Sequence, residues 1–136
     1  MKRALAREQA FILVFEKSFN DLDVPELVDY AVEYCGFKTD CFMERLIEDT
    51  LSHLEDIDAV IEKYSIGWKK QRLSRVTLSI MRVACNEIMF MSDIPVSVSI
   101  DEAVELAKKY ASEEDAAYIN GVLGSVAKNE SCEKGE

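Results

Sequence analysis

Apolar positions along this chain recur at steps of three and four, with no alternating run that would mark a strand and no internal repeat. Helix breakers are few, with glycine only at 36, 67, 121, 124 and 135 and proline only at 25 and 95, so long helices are predicted. The first runs from about Arg3 to Ser18. Its stretch Ala10-Phe11-Ile12-Leu13-Val14-Phe15 is apolar nearly all round, which predicts burial on more than one side. After the polar break Asn20-Asp21-Leu22-Asp23, a second helix starts near Pro25 and ends near Gly36. A third, capped by Thr39 or Asp40, carries the stripe Met43, Leu46, Ile47, Thr50, Leu51, Leu54, Ile57, Ile61 on one face and reads as one long helix.

Ser65-Ile66-Gly67-Trp68 interrupts the pattern. A fourth helix is predicted from about Lys70 to Met91, with Leu73, Val76, Ile80, Val83, Ala84, Ile88 and Met91 inward and Arg72, Arg75 and Arg82 off that stripe. Pro95 ends it. The fifth opens on a capping box of Ser99 and Glu102, and the sixth follows Ser112, with Glu113, Glu114 and Asp115 at the positive end of its dipole. Gly121 and Gly124 each cost about 1 kcal/mol inside a helix, so close approach of another helix is expected there. Residues 129–136 read as a disordered tail. The expected fold is all-α, six or seven helices in one domain over 1–128, with halves of about 1–64 and 65–128 sharing one core, because a half of about 65 residues is marginal alone.

Charge changes this picture locally. The net charge is -10, which taken whole argues against a nucleic-acid partner. It is unevenly spread: residues 18–64 hold three basic and thirteen acidic side chains, whereas 65–85 hold Lys69, Lys70, Arg72, Arg75 and Arg82 and no acid. That basic stretch is either a solvated helix face docked on acidic helices or a local anion-binding surface. Cys35, Cys41, Cys85 and Cys132 form no CxxC pair and His53 stands alone, so no metal is expected; Cys41 and Cys85 read as small buried hydrophobes. No nucleotide-binding, zinc-protease or nucleophile-elbow motif occurs. Glu48-Asp49 and Glu55-Asp56 point about 100° apart on a helix and read as solvated, as does His53 on a polar face. Neither an enzyme nor a cofactor is expected. The charged N-terminus lacks a signal-peptide pattern and no apolar run approaches a membrane span, so a cytoplasmic protein is the simplest reading.

Motif-level evidence lies in the C-terminal half. Asp93-Ile94-Pro95-Val96-Ser97-Val98-Ser99-Ile100-Asp101-Glu102-Ala103-Val104-Glu105-Leu106-Ala107-Lys108-Lys109-Tyr110, followed by Tyr118-Ile119-Asn120-Gly121-Val122-Leu123-Gly124, resembles the C-terminal signature of the NusB family. Arg72-Leu73-Ser74-Arg75, Ile80-Met81-Arg82-Val83-Ala84 with Glu87-Ile88, and the opening Arg3, Arg7, Glu8 and Ala10 are similar to the same family. The resemblance implies two packed three-helix bundles. It also implies binding to box A RNA of nascent ribosomal RNA transcripts as a heterodimer with the ribosomal protein NusE, suppression of termination by RNA polymerase, and a homodimer in some members. It further implies RNA contacts at Lys2, Arg3, Arg7, Arg82 and Tyr118, to which the basic stretch adds Arg72 and Arg75, and partner contacts at Phe15, Thr77 and Glu87.

One departure from the family matters. Ala4 and Leu5 stand where members often carry arginines. Fewer phosphate contacts imply weaker, less salt-sensitive RNA binding and greater dependence on the protein partner. The alternative is a NusB-like protein-interaction module with little RNA binding of its own.

Overall fold

The computed structural model describes residues 2–65 and 73–131, and these form seven helices with no strand. They are α1 (Arg3–Lys17), α2 (Val24–Tyr34), α3 (Cys41–Ser52), α4 (Leu54–Tyr64), α5 (Arg75–Phe90), α6 (Val96–Tyr110) and α7 (Glu113–Glu130). Most starts follow local capping chemistry. Asp23 and Glu26 form a reciprocal capping box on α2, Asp40 accepts from Phe42 N on α3, Ser74 from Thr77 N on α5 and Ser112 from Asp115 N on α7. Gly36 ends α2 in the left-handed region at φ 73°, which lets Phe37 N turn back to donate to Ala31 O at 3.1 Å.

The long third helix is two. His53 takes φ -109° and ψ 14°, breaking the ladder between α3 and α4. Its imidazole stacks on Phe90 of α5 at 3.8 Å between ring centroids, and Nδ1 lies 3.2 Å from the side-chain oxygen of the buried Asn86. His53 is therefore a joint packed on α5. The apolar spacing hides the break because Ile57 and Ile61 are buried beyond it, as Met43, Leu46 and Ile47 are before it.

Five other expectations shift. Leu73 and Ser74 precede α5, because Ser74 caps it. Pro95, with φ fixed at -62°, is the N-cap of α6, so Ser99 lies within that helix, 2% exposed, and its hydroxyl turns inward instead of capping. An added Cβ at Gly121 or Gly124 meets nothing within 4 Å, so no neighbouring helix demands glycine there. Cys85 is buried as expected, but Cys41, at the first position of α3, is exposed. Helix α7 continues to Glu130, into the expected tail. Residues 132–136, and Lys69, Lys70 and Arg72, lie outside the described residues.

Helix α5 is the axis of the fold: every residue from Thr77 to Ile88 except Arg82 is buried. It packs on α1, α3, α4, α6 and α7, while α6 and α7 pair with each other and α2 rests on α1. The buried apolar side chains of all these helices form one continuous cluster. This arrangement brings the start of α1 against α3 and α6, and the end of α1 against the start of α5.

Candidate nucleic-acid and partner interface

The start of α1 is the first candidate surface. Lys2 is the N-cap, no acid lies in the first turn, and Lys2 and Arg3 are exposed beside the unpaired N–H groups of the helix end. The Arg3 guanidinium lies 4.2 Å from the ring centroid of Phe42 on α3. Nearby, Arg45 forks onto Asp93 with 3.3 and 3.2 Å hydrogen bonds; these bonds, aided by the charges of Arg45 and Arg3, hold the Asp93 carboxyl below its ordinary range. On the other side, Ala4 and Leu5 line an open groove between α1 and α6 that also holds Glu102 and Glu105. Glu8 is clasped there by Lys109 Nζ at 2.5 Å and by the Tyr110 hydroxyl. Cations at this end are thus few: Arg3 lies toward α3, while Lys2 and Lys109 line the α6 groove, where Lys109 is paired with Glu8.

Several residues expected at phosphates face elsewhere. Arg7 is 4% exposed, and its Nε donates to Glu87 Oε2 at 2.8 Å, while Ser99 Oγ donates to Glu87 Oε1 at 2.8 Å. The Arg7 guanidinium is committed to tying α1 to α5 and α6. Arg82 forks onto Asp58 with two 2.8 Å bonds, joining α5 to α4, with only 14% of its side chain exposed. Arg75 is exposed but turned to the end of α1, where Nη1 donates to Ser18 O at 3.1 Å and the guanidinium lies 4.7 Å from the Phe19 ring centroid. Tyr118 is half-buried against the core early in α7. Arg72 lies outside the described residues.

Of the residues expected at a protein partner, Thr77 and Glu87 are each 1% exposed. Thr77 accepts from Ser74 Oγ at 3.1 Å within the α5 cap, and Glu87 sits in the Arg7–Ser99 network. Only Phe15 reaches a surface. It lines an open groove with Phe19, Leu22, Leu27 and Tyr30, and its ring meets that of Phe19 edge-on at 5.0 Å. Phe19 is 60% and Tyr30 55% exposed, a concentration of bare aromatic surface that isolated exposed apolar residues do not explain. The helical stripes do not single out Phe19 or Leu22; the available signal is two large apolar residues in or beside a stretch otherwise read as a polar break. Among the described residues no helix is long and apolar enough to cross a membrane.

Known proteins share this fold. Residues 4–128 match the NusB family. The chain is 46% identical over 132 residues to the transcription antitermination protein NusB of Natranaerobius thermophilus, covering 93% of this chain and 95% of that protein. It is 37% identical over 126 residues to the NusB of Bacillus subtilis strain 168, covering 93% and 95%. Its fold is similar to that of NusB from T. maritima, with a TM-score of 0.84, 30% identity and coverage of 97% and 94%. It is also similar to a chain in the crystal structure of antitermination factors NusB and NusE in complex with dsRNA, with a TM-score of 0.82, 28% identity and coverage of 93% and 96%.

Proposed function

The chain belongs to the NusB family, and from that premise we propose that it is a transcription antitermination factor that binds box A RNA of nascent ribosomal RNA transcripts together with NusE. The observation that carries this reading is likeness along nearly the whole chain, 46% identity over 93% of it, to a named antitermination protein. It acts by binding, as a non-enzymatic cytoplasmic factor that delivers RNA and NusE to elongating RNA polymerase; a homodimer that hides the RNA surface, as some members of the family form, is a further state proposed for it.

The geometry supports a division of labour. Lys2 and Arg3 meet phosphates at the start of α1, where the helix dipole and exposed cations add. Tyr118, half-buried early in α7, is the aromatic residue proposed to meet an unstacked base. Phe15 belongs to the protein-partner side. Arg7, Arg82 and Glu87 support these surfaces from within.

Electrophoretic mobility shift of a box A oligonucleotide with and without purified NusE tests the reading. A shift with NusE is expected. No shift in either condition, with NusE still binding the protein, would favour the interaction-only module.

A further inference from the structure

Arg75 sits between two features that the proposed RNA face does not use. One is the C-terminal end of α1, where carbonyl groups lack helical partners and carry the negative end of the helix dipole. Ser18 is the C-cap, and its carbonyl receives Arg75 Nη1 at 3.1 Å. The other is the Phe19 ring, whose centroid lies 4.7 Å from the guanidinium carbon. Phe19 in turn leans edge-on against Phe15. Phe19 is 60% exposed and lies just beyond the last turn of α1, so its own burial holds it weakly. Among the described residues, the Arg75 guanidinium from α5 meets this ring from far along the chain.

The Phe19 ring is one wall of the groove that also contains Phe15, Leu22, Leu27 and Tyr30. Glu16 lines the same groove, and Asp21, Asp23 and Glu26 lie on the segment that forms its rim. Among the described residues, Lys17, whose Nζ donates to Leu22 O at 2.6 Å, and Arg75 over Phe19 are the cations beside it, so the four carboxylates outnumber them and an RNA phosphate brought here would meet net negative charge. A basic polypeptide would find complementary charge around an apolar slot.

We propose that Arg75 is a positioning residue for protein-partner binding: it holds Phe19 as a preformed wall of an apolar groove that receives a side chain of a basic protein partner. This rests on the assignment of Phe15 to the partner side under the proposed function. Pre-ordering an exposed aromatic wall removes part of the ordering cost of association and acts mainly on the dissociation rate.

The test is a biosensor measurement of full-length chain binding purified NusE, with Phe15→Ala, Phe19→Ala, Arg75→Ala, Arg75→Lys and the Arg75→Ala/Phe19→Ala pair. Box A RNA binding without NusE is followed over a salt series in parallel. Arg75→Ala is expected to weaken NusE binding about two- to five-fold, the scale of an exposed cation–π contact. Arg75→Lys, which keeps a cation over the ring, recovers part of that loss. In the Phe19→Ala background, Arg75→Ala has no further effect, a non-additivity that a helix-capping role alone would not produce. RNA affinity and its salt slope stay unchanged. Unchanged NusE binding by Arg75→Ala, with RNA binding weakened and its salt slope shallower by about 0.7, would make Arg75 a phosphate contact and overturn the proposal. Additive losses from Arg75→Ala and Phe19→Ala would overturn it as well. Weaker NusE binding by Phe15→Ala but not by Phe19→Ala or Arg75→Ala overturns this inference and leaves the proposed partner site standing. Unweakened binding by all three overturns both.

Discussion

Arg7 and Glu87, 80 residues apart in sequence, meet in the interior with Nε and Oε2 2.8 Å apart and side chains 5% and 1% exposed. A charge pair this deep is held by mutual dependence. Removing one partner leaves the other charged and buried, which typically costs about 3–5 kcal/mol, whereas replacing the set by apolar groups of similar volume is far less harmful. Arg7→Ala is therefore expected to lower urea-unfolding stability by about that amount. Arg7→Met with Glu87→Met and Ser99→Ala should lose much less than the summed single changes. If Arg7→Ala instead leaves the urea midpoint in place and weakens RNA binding, Arg7 returns to the phosphate-contacting set.

Glu8 gives the stability an acid limit. Burial acts to raise its carboxyl pKa, but hydrogen bonds from Lys109 and Tyr110, with the Lys109 charge, outweigh it and hold the group below its ordinary value. A carboxylate depressed in the folded state adds stability above its unfolded pKa and loses it as pH falls through the folded value. Lys109, raised chiefly by its hydrogen bond to Glu8, works in the opposite sense: its contribution is present below the ordinary lysine pKa and disappears as alkaline pH passes the folded value. Glu8→Gln should thus flatten the decline in thermal stability between about pH 5 and pH 3. Parallel stability curves for the two proteins over that range would contradict it.

Cysteine reactivity should divide by burial. Cys85 is fully enclosed in α5, and burial, helped by the nearby Asp58 charge, pushes its thiol up to about 12. Cys35 and Cys41 are exposed. Maleimide labelling of the native protein, mapped by peptide mass spectrometry, is expected at Cys35 and Cys41 and at Cys85 only after denaturation. Labelling of Cys85 at the rate of Cys41 would mean that α5 opens locally, against its place at the centre of the core.

The stripes that mark the helices are legible in the sequence because burial repeats with the helical period: Met43, Leu46 and Ile47, or Ile80, Val83, Ala84 and Ile88, are buried as their spacing predicts. The break at His53 is not, because it leaves the apolar spacing undisturbed and depends on a ring stacking with Phe90 from a distant helix. The Ser99 capping box fails for a related reason. Ser99 and Glu102 have the right spacing, but Pro95 already starts the helix and the Ser99 hydroxyl goes to Glu87. Basic residues are the least legible part of the site. A cation bound for Glu87, Asp58 or the end of α1 looks identical in sequence to one facing phosphate, since the difference lies in pairings between helices far apart in the chain.

Ala4 and Leu5 are expected to limit the RNA affinity of the isolated protein. Both are exposed beside Lys2 and Arg3, yet they carry no charge, and the groove they line contains Glu102 and Glu105. With Arg7 and Arg82 held in internal ion pairs, phosphates find few free cations at the start of α1. Binding of box A RNA alone is therefore expected to be weak at physiological salt and to strengthen when NusE is present. The double change Ala4→Arg and Leu5→Arg should raise RNA-only affinity and steepen the dependence of log affinity on log salt by about 1.4, since each added phosphate contact on a single strand contributes about 0.7. Fluorescence anisotropy of a labelled box A oligonucleotide across a potassium chloride series measures both quantities. Tight binding by the unaltered protein without NusE at physiological salt would sink this account, as would a double variant whose affinity rises with no change in slope, because the gain would then not come from phosphates.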